Sequence, residues 1–125
     1  MKRAFRTEQA PNPVGPYSQV VQSGELLFLA GQVALTPSGA MNDGDINAQT
    51  RQVLNNLKAV LEAAGCTMDQ VVKTTIFLAD LGDFETVNKI YAEYFKEPFP
   101  ARTTVQVSKL PKGARLEIDA IASRA

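Results

Sequence analysis

Between Asp45 and Gly65 the apolar residues Ile46, Val53, Leu54, Leu57, Val60, Leu61 and Ala64 recur at the spacing of one helical face. A helix with a single apolar face has to bury it against another layer. The rest of the chain indicates what that layer is. Val71–Ala79 is short and β-branched, as a strand should be. Arg102–Lys109 and Arg115–Ala122 also read as strands. Leu26–Leu35 reads as a long apolar strand interrupted by Gly31, which predicts a bulge or a close backbone approach. Two shorter strands are expected near residues 3–7 and around Ser18–Gln22. The breaker-rich Pro11-Asn12-Pro13-Val14-Gly15-Pro16 joins them, and Ser23-Gly24 is a turn signal. Phe84, Val87, Tyr91, Tyr94 and Phe95 predict a second helix, ended by Pro98-Phe99-Pro100. Asp45 reads as the N-cap of the first helix and Gly65 as its C-terminal glycine cap.

The resulting order, β-β-β-α-β-α-β-β, predicts an α+β fold over residues 1–125 as one domain. Its layers are a mixed sheet and two helices packed on one face. The last strand puts Leu116, Ile118, Ala120 and Ala122 on one face and Arg115, Glu117, Asp119 and Ile121 on the other. In the strand before it, Val105 and Val107 alternate with Arg102, Thr104, Gln106 and Ser108, again suggesting a core face and a polar face. Solvent or another subunit accounts equally well for the polar face.

Charge and composition exclude several functions. The 13 Lys and Arg are balanced by 13 Asp and Glu, so there is no compositional case for a nucleic-acid binder. A hydrophobic content of 45% argues against disorder. No apolar run approaches the roughly 18 residues of a membrane span. The basic start Met1–Arg6 is not followed by an apolar signal core, so no secretory signal is expected. With Cys66 as the only cysteine, no internal disulfide can form, and a cytoplasmic location is expected. There is no histidine, which removes the commonest general base and transition-metal ligand. Catalysis is left to carboxylates, Tyr, Lys, Arg, backbone groups or the single thiol. Cys66 itself reads as a thiol at a helix end. The stretch Asp43-Gly44-Asp45-Ile46-Asn47 starts like a calcium loop, but Ala48 and Leu54 stand where glycine and glutamate are required. It reads as a turn and helix cap, and no metal site is expected. Phosphate-binding glycine loops, paired-cysteine zinc motifs and nucleophile elbows are absent.

The most informative stretch is Pro100-Ala101-Arg102-Thr103-Thr104-Val105-Gln106-Val107, followed by Leu110-Pro111-Lys112-Gly113 and Arg115-Leu116-Glu117-Ile118-Asp119-Ala120. It resembles the C-terminal signature of the reactive intermediate deaminase family, the RidA/YjgF group. Gly15-Pro16-Tyr17-Ser18-Gln19, Ala30-Gly31-Gln32, Val72-Lys73-Thr74-Thr75 and Phe84-Glu85-Thr86-Val87-Asn88 agree in order and spacing. The resemblance covers nearly the whole chain.

That resemblance implies a chorismate-mutase-like fold and a homotrimer whose three sheets form a barrel-like core, with sites in the clefts between subunits. The implied reaction is hydrolysis of 2-imino acids, such as 2-iminobutanoate and 2-iminopropanoate, to 2-keto acids and ammonia. Such imines arise as enamines released by pyridoxal-phosphate dehydratases.

By the same resemblance, Arg102 binds the substrate carboxylate. A guanidinium fork suits a planar carboxylate through two parallel charge-assisted hydrogen bonds. The plain alternative is a surface or interface arginine. Glu117 matches the family's acidic position and would place and polarise water, with Asp119 as the fallback acid; an interface salt bridge is the alternative. Tyr17 would pack on the substrate, Gly31 would bring backbone close to its nitrogen, and Asn88 would support them. Tyr17 as simple packing and Gly31 as a bulge are the plainer readings. Ala30 replaces a frequent serine and Thr104 a cysteine found in some members, removing a hydroxyl contact and a thiol. No cofactor is implied. The competing functions are a ribonuclease or translation inhibitor, and a non-enzymatic ligand-binding or holdase-like trimer.

Overall fold

Asp45 starts the first helix as expected: its carboxylate accepts the N–H of Ala48 at 2.9 Å, satisfying one of the donors a helix start leaves free. In the computed structural model, which describes residues 1–125, this helix, α1, spans Ile46–Ala63. Gly65 ends it at φ +78°, a left-handed conformation that suits glycine. The α1 side chains Val53, Leu54, Leu57, Val60 and Leu61 are buried. They share one core with Leu27, Ile76, Leu78, Leu116 and Ile118 from the sheet. Each such side chain is worth about 1.5–3 kcal/mol when fully buried. Cys66 is buried in the same core.

The sheet has six strands: β1 (Lys2–Phe5), β2 (Val20–Ser23), β3 (Leu26–Gln32), β4 (Val71–Leu78), β5 (Ala101–Gln106) and β6 (Leu116–Ser123). Their spatial order is β1-β2-β3-β6-β4-β5. The β4–β5 pair is parallel and every other pair antiparallel. The second helix, α2 (Phe84–Tyr94), crosses from β4 to β5 and packs beside α1. The α+β reading therefore holds, with one mixed sheet and two helices on one face. The sheet is open, with β1 and β5 as its edges.

Several expected boundaries shift. The first strand lies at Lys2–Phe5 instead of 3–7, and the second starts at Val20 instead of Ser18. β3 ends at Gln32 and not Leu35, Gln32 being its last residue paired with β6, and the ladder shifts register between Leu29 and Gln32. There Ala30 and Gly31 oppose Asp119 alone, an inserted residue of the kind that makes a bulge. β5 stops at Gln106 rather than Lys109, since its partner β4 ends opposite at Leu78. The second helix stops at Tyr94, with Phe95 already extended.

One face assignment is reversed. Val105 is not a core residue: it lies opposite Phe77, which is in turn opposite Glu117, and it is 38% exposed on the helix-free face. Arg102 lies opposite Thr74, itself opposite Ala120, and both partners are buried under the helices. On this edge strand the longer polar side chains point toward α2 and the valine points away. Register with β4 sets the facing, whatever the polarity of the residues.

Candidate active site

Phe84, Asn88 and Tyr91 sit at positions i, i+4 and i+7 of α2, so they form one stripe down its face. The Arg102 side chain rises from β5 into that stripe. Its Nη1 donates to Asn88 Oδ1 at 2.8 Å. Its guanidinium carbon lies 4.9 Å from the Tyr91 ring centroid and 5.5 Å from that of Phe84. The Tyr91 hydroxyl pairs with Thr74 Oγ1 at 2.8 Å in the core. Burial pushes that phenol above its usual range, so it stays protonated at neutral pH. Arg102 takes part in none of the three ion pairs of the chain. It sits with Asn88, Tyr91, Ala92, Phe99 and Pro100 in a groove of about 440 Å³. The arrangement is a fixed cation with unused donors facing an open groove, suited to a small carboxylate.

A second cluster lies on the other side of the sheet. At the bulge of β3, the Glu117 side chain packs against Gly31. A Cβ built on that glycine would lie 2.5 Å from Glu117 Oε2. The bulge is tied back by the Ala30 N–H donating to the Gln19 carbonyl at 2.9 Å. No cation pairs with Glu117. Burial, and secondarily the negative charge of Asp119, push its carboxyl above the usual range. A carboxylate raised in this way is a stronger base than a solvated one. Tyr17 stands apart from both clusters. It is 52% exposed, its hydroxyl accepts the Val14 N–H at 3.4 Å, and it lines a groove of about 480 Å³ with Arg6, Asn12 and Gln19.

Within one chain, then, Arg102 joins Asn88, and Glu117 joins Gly31. The two pairs face opposite sides of the sheet, and Tyr17 meets neither. One copy cannot bring Arg102 and Glu117 to the same small molecule.

The family model for endoribonuclease L-PSP matches residues 7–124. The chain belongs to this family. A RutC family protein of Pyrococcus horikoshii is 53% identical, covering 98% of this chain and 98% of its own length. The human protein named 2-iminobutanoate/2-iminopropanoate deaminase is 46% identical, over 98% of this chain and 90% of its own. Among solved structures, the Rid-family protein YyfA of Yersinia pestis superimposes with a TM-score of 0.95 at 49% identity, covering 98% of this chain and 99% of its own.

In this L-PSP-family chain the sequence reading missed Ala92, Phe99 and Pro100 of the Arg102 groove and the two rings beside the guanidinium, Phe84 and Tyr91. Both rings fit the apolar periodicity of α2 and so read as core. The available signal was the i, i+4, i+7 spacing that groups them with Asn88. Thr104, the position without a cysteine, lies on the same side of β5 as Arg102, and its buried hydroxyl has no hydrogen-bond partner. Asp45, from the stretch that starts like a calcium loop, is engaged as the α1 cap.

Proposed function

We propose that this protein hydrolyses 2-imino acids to 2-keto acids and ammonia, with 2-iminobutanoate and 2-iminopropanoate as substrates. The observation that carries the reading is the unpaired Arg102 guanidinium, held by Asn88 and two aromatic rings in an open groove. The name of the human relative supports the substrate class. Arg102 clamps the substrate carboxylate, and the Glu117 carboxylate takes a proton from water as its oxygen bonds to the electrophilic C2. Glu117 then passes that proton to the nitrogen of the carbinolamine so formed. As the C–N bond breaks and ammonia leaves, the hydroxyl gives its proton back to Glu117 and C=O closes, and the departing ammonia carries that proton away as ammonium. The Gly31 backbone lies beside the reacting nitrogen, and Tyr17 packs on the substrate plane.

Because Arg102 and Glu117 face opposite sides of one sheet, the complete site takes them from different copies. The copies form a homotrimer whose sheets enclose a barrel-like core, each contributing one side of three equivalent clefts. Exposed Phe28 and Val105, with Ile121, give the helix-free face an apolar component to bury in that assembly. An iminium carbon is electrophilic without assistance, so orientation, water placement and charge suffice and no cofactor is required. The location is cytoplasmic. No helix is long and apolar enough to cross a membrane.

The family description supplies the second reading, a ribonuclease. A formal net charge of zero and the absence of histidine weigh against it. The test couples a threonine dehydratase to 2-ketobutanoate formation while the protein is titrated in, with RNA cleavage followed in parallel. Faster keto-acid release with intact RNA supports the deaminase. Keto acid forming at the uncatalysed rate refutes it and favours a non-enzymatic ligand-binding trimer.

A further inference from the structure

Arginine is a long, flexible side chain, and Arg102 has one side-chain hydrogen bond, to Asn88. A single bond at Nη1 leaves the guanidinium plane free to swing about it. The Tyr91 ring, 4.9 Å away and nearer than the Phe84 ring at 5.5 Å, restricts that freedom. Tyr91 is itself fixed twice. Its hydroxyl pairs with Thr74 at 2.8 Å, and its ring packs on Phe95 with centroids 4.4 Å apart. Thr74 is the residue directly opposite Arg102 in the β4–β5 ladder. The ring is therefore referenced to the strand pair that carries Arg102, and not to α2 alone.

We propose that Tyr91 is a positioning residue, a platform that sets the plane of the Arg102 guanidinium for a substrate carboxylate. This rests on the reading of Arg102 as the carboxylate clamp. Asn88 fixes where one nitrogen lies, while the ring fixes the orientation of the others toward the groove. Tyr91 is only 5% exposed, so it acts through Arg102.

The experiment compares Tyr91→Phe and Tyr91→Leu by KM, kcat and melting temperature with 2-iminobutanoate generated in situ. Phenylalanine keeps the ring but leaves the buried Thr74 hydroxyl unpaired, so its melting temperature falls while its KM stays within about twofold of wild type. Leucine removes the ring and the cation–π contact, so its KM rises about 3- to 30-fold with kcat little changed. Tyr91→Met, an adaptable filler without a ring, should repeat the leucine result and stands in for it should the leucine variant fail to fold. KM values for the ringless variants equal to that of Tyr91→Phe, or tracking melting temperature across all three, would overturn the proposal. Arg102→Lys runs alongside. If it alone is impaired, the platform falls and the clamp stands; if it too keeps a wild-type KM, the clamp itself is wrong.

Discussion

Replacing Gly31 with alanine separates the chemistry of the Glu117 carboxylate from the stability of the sheet. The φ of Gly31 lies outside the left-handed region, so its backbone accepts alanine without strain. The new methyl would lie 2.5 Å from Glu117 Oε2, 2.8 Å from its carboxyl carbon and 3.0 Å from Cγ. Ordinary contact begins near 3.4 Å, so the oxygen must withdraw by about 0.9 Å. The obstacle is a side chain with three rotatable bonds, not backbone, so relief comes from a χ adjustment costing about 0.5–1.5 kcal/mol. For catalysis the same displacement is large, because misplacing a reacting group by about 1 Å can cost about 100-fold. Gly31→Ala should therefore melt within a few degrees of wild type and lose about 10- to 100-fold in kcat, with KM changed far less. The assay is keto-acid formation from 2-iminobutanoate, with melting followed by circular dichroism. A wild-type kcat would show that the carboxylate position is irrelevant to turnover. A collapse in melting temperature would make Gly31 a structural residue of the bulge.

Arg102→Lys should be nearly as damaging as Arg102→Ala, about 10- to 150-fold in kcat/KM for one lost charge-assisted hydrogen bond, because lysine lacks the planar fork. Near-native activity in the lysine variant would mean that charge alone suffices. Glu117→Gln should lower kcat while keeping the fold. It should also raise stability at neutral pH. The folded Glu117 carboxyl holds its proton above the ordinary value of 4.5, so the native state binds more protons there than the unfolded chain. Wild-type stability therefore falls as pH rises from 4.5 through the raised folded pKa, and urea unfolding across that window should show a shallower slope in the glutamine variant. Prolonged chelation should leave imine hydrolysis intact, and a loss reversed by adding metal would contradict the cofactor-free mechanism. Leu57→Ala should cost about 2–5 kcal/mol in urea unfolding, since Leu57 is fully enclosed between α1 and the sheet.

The helices were readable from sequence because each rests on local signals: the stripe from Ile46 to Ala64, the Asp45 cap and the Gly65 stop. The bulge at Gly31 was readable for the same reason. The facing of β5 was not. Alternation along Arg102–Gln106 shows that two faces exist, but which one meets the helices depends on pairing with β4, a distant segment. An edge strand half-covered by α2 tolerates arginine inward and valine outward, so polarity pointed the wrong way. The site pairs were partly legible. Arg102 and Asn88 emerged as members of matched blocks, and the structure places them 2.8 Å apart. Tyr91 was hidden because an aromatic residue on a helix stripe reads as core, and here it is both packing and platform. The separation of Arg102 from Glu117 across the sheet could not be read from either residue's own strand, because it depends on the order of strands between them.

The most direct measurement mixes two inactive proteins, Arg102→Ala and Glu117→Gln, after dissociation and joint reassociation. Each carries the group the other lacks. If every site takes Arg102 from one copy and Glu117 from its neighbour, random mixing in equal amounts restores about a quarter of the sites in a cyclic oligomer. The account predicts roughly that fraction of wild-type keto-acid formation from 2-iminobutanoate, from two proteins that are each nearly inactive alone. Activity that stays at the sum of the two separate variants would show that Arg102 and Glu117 do not act together across a subunit boundary.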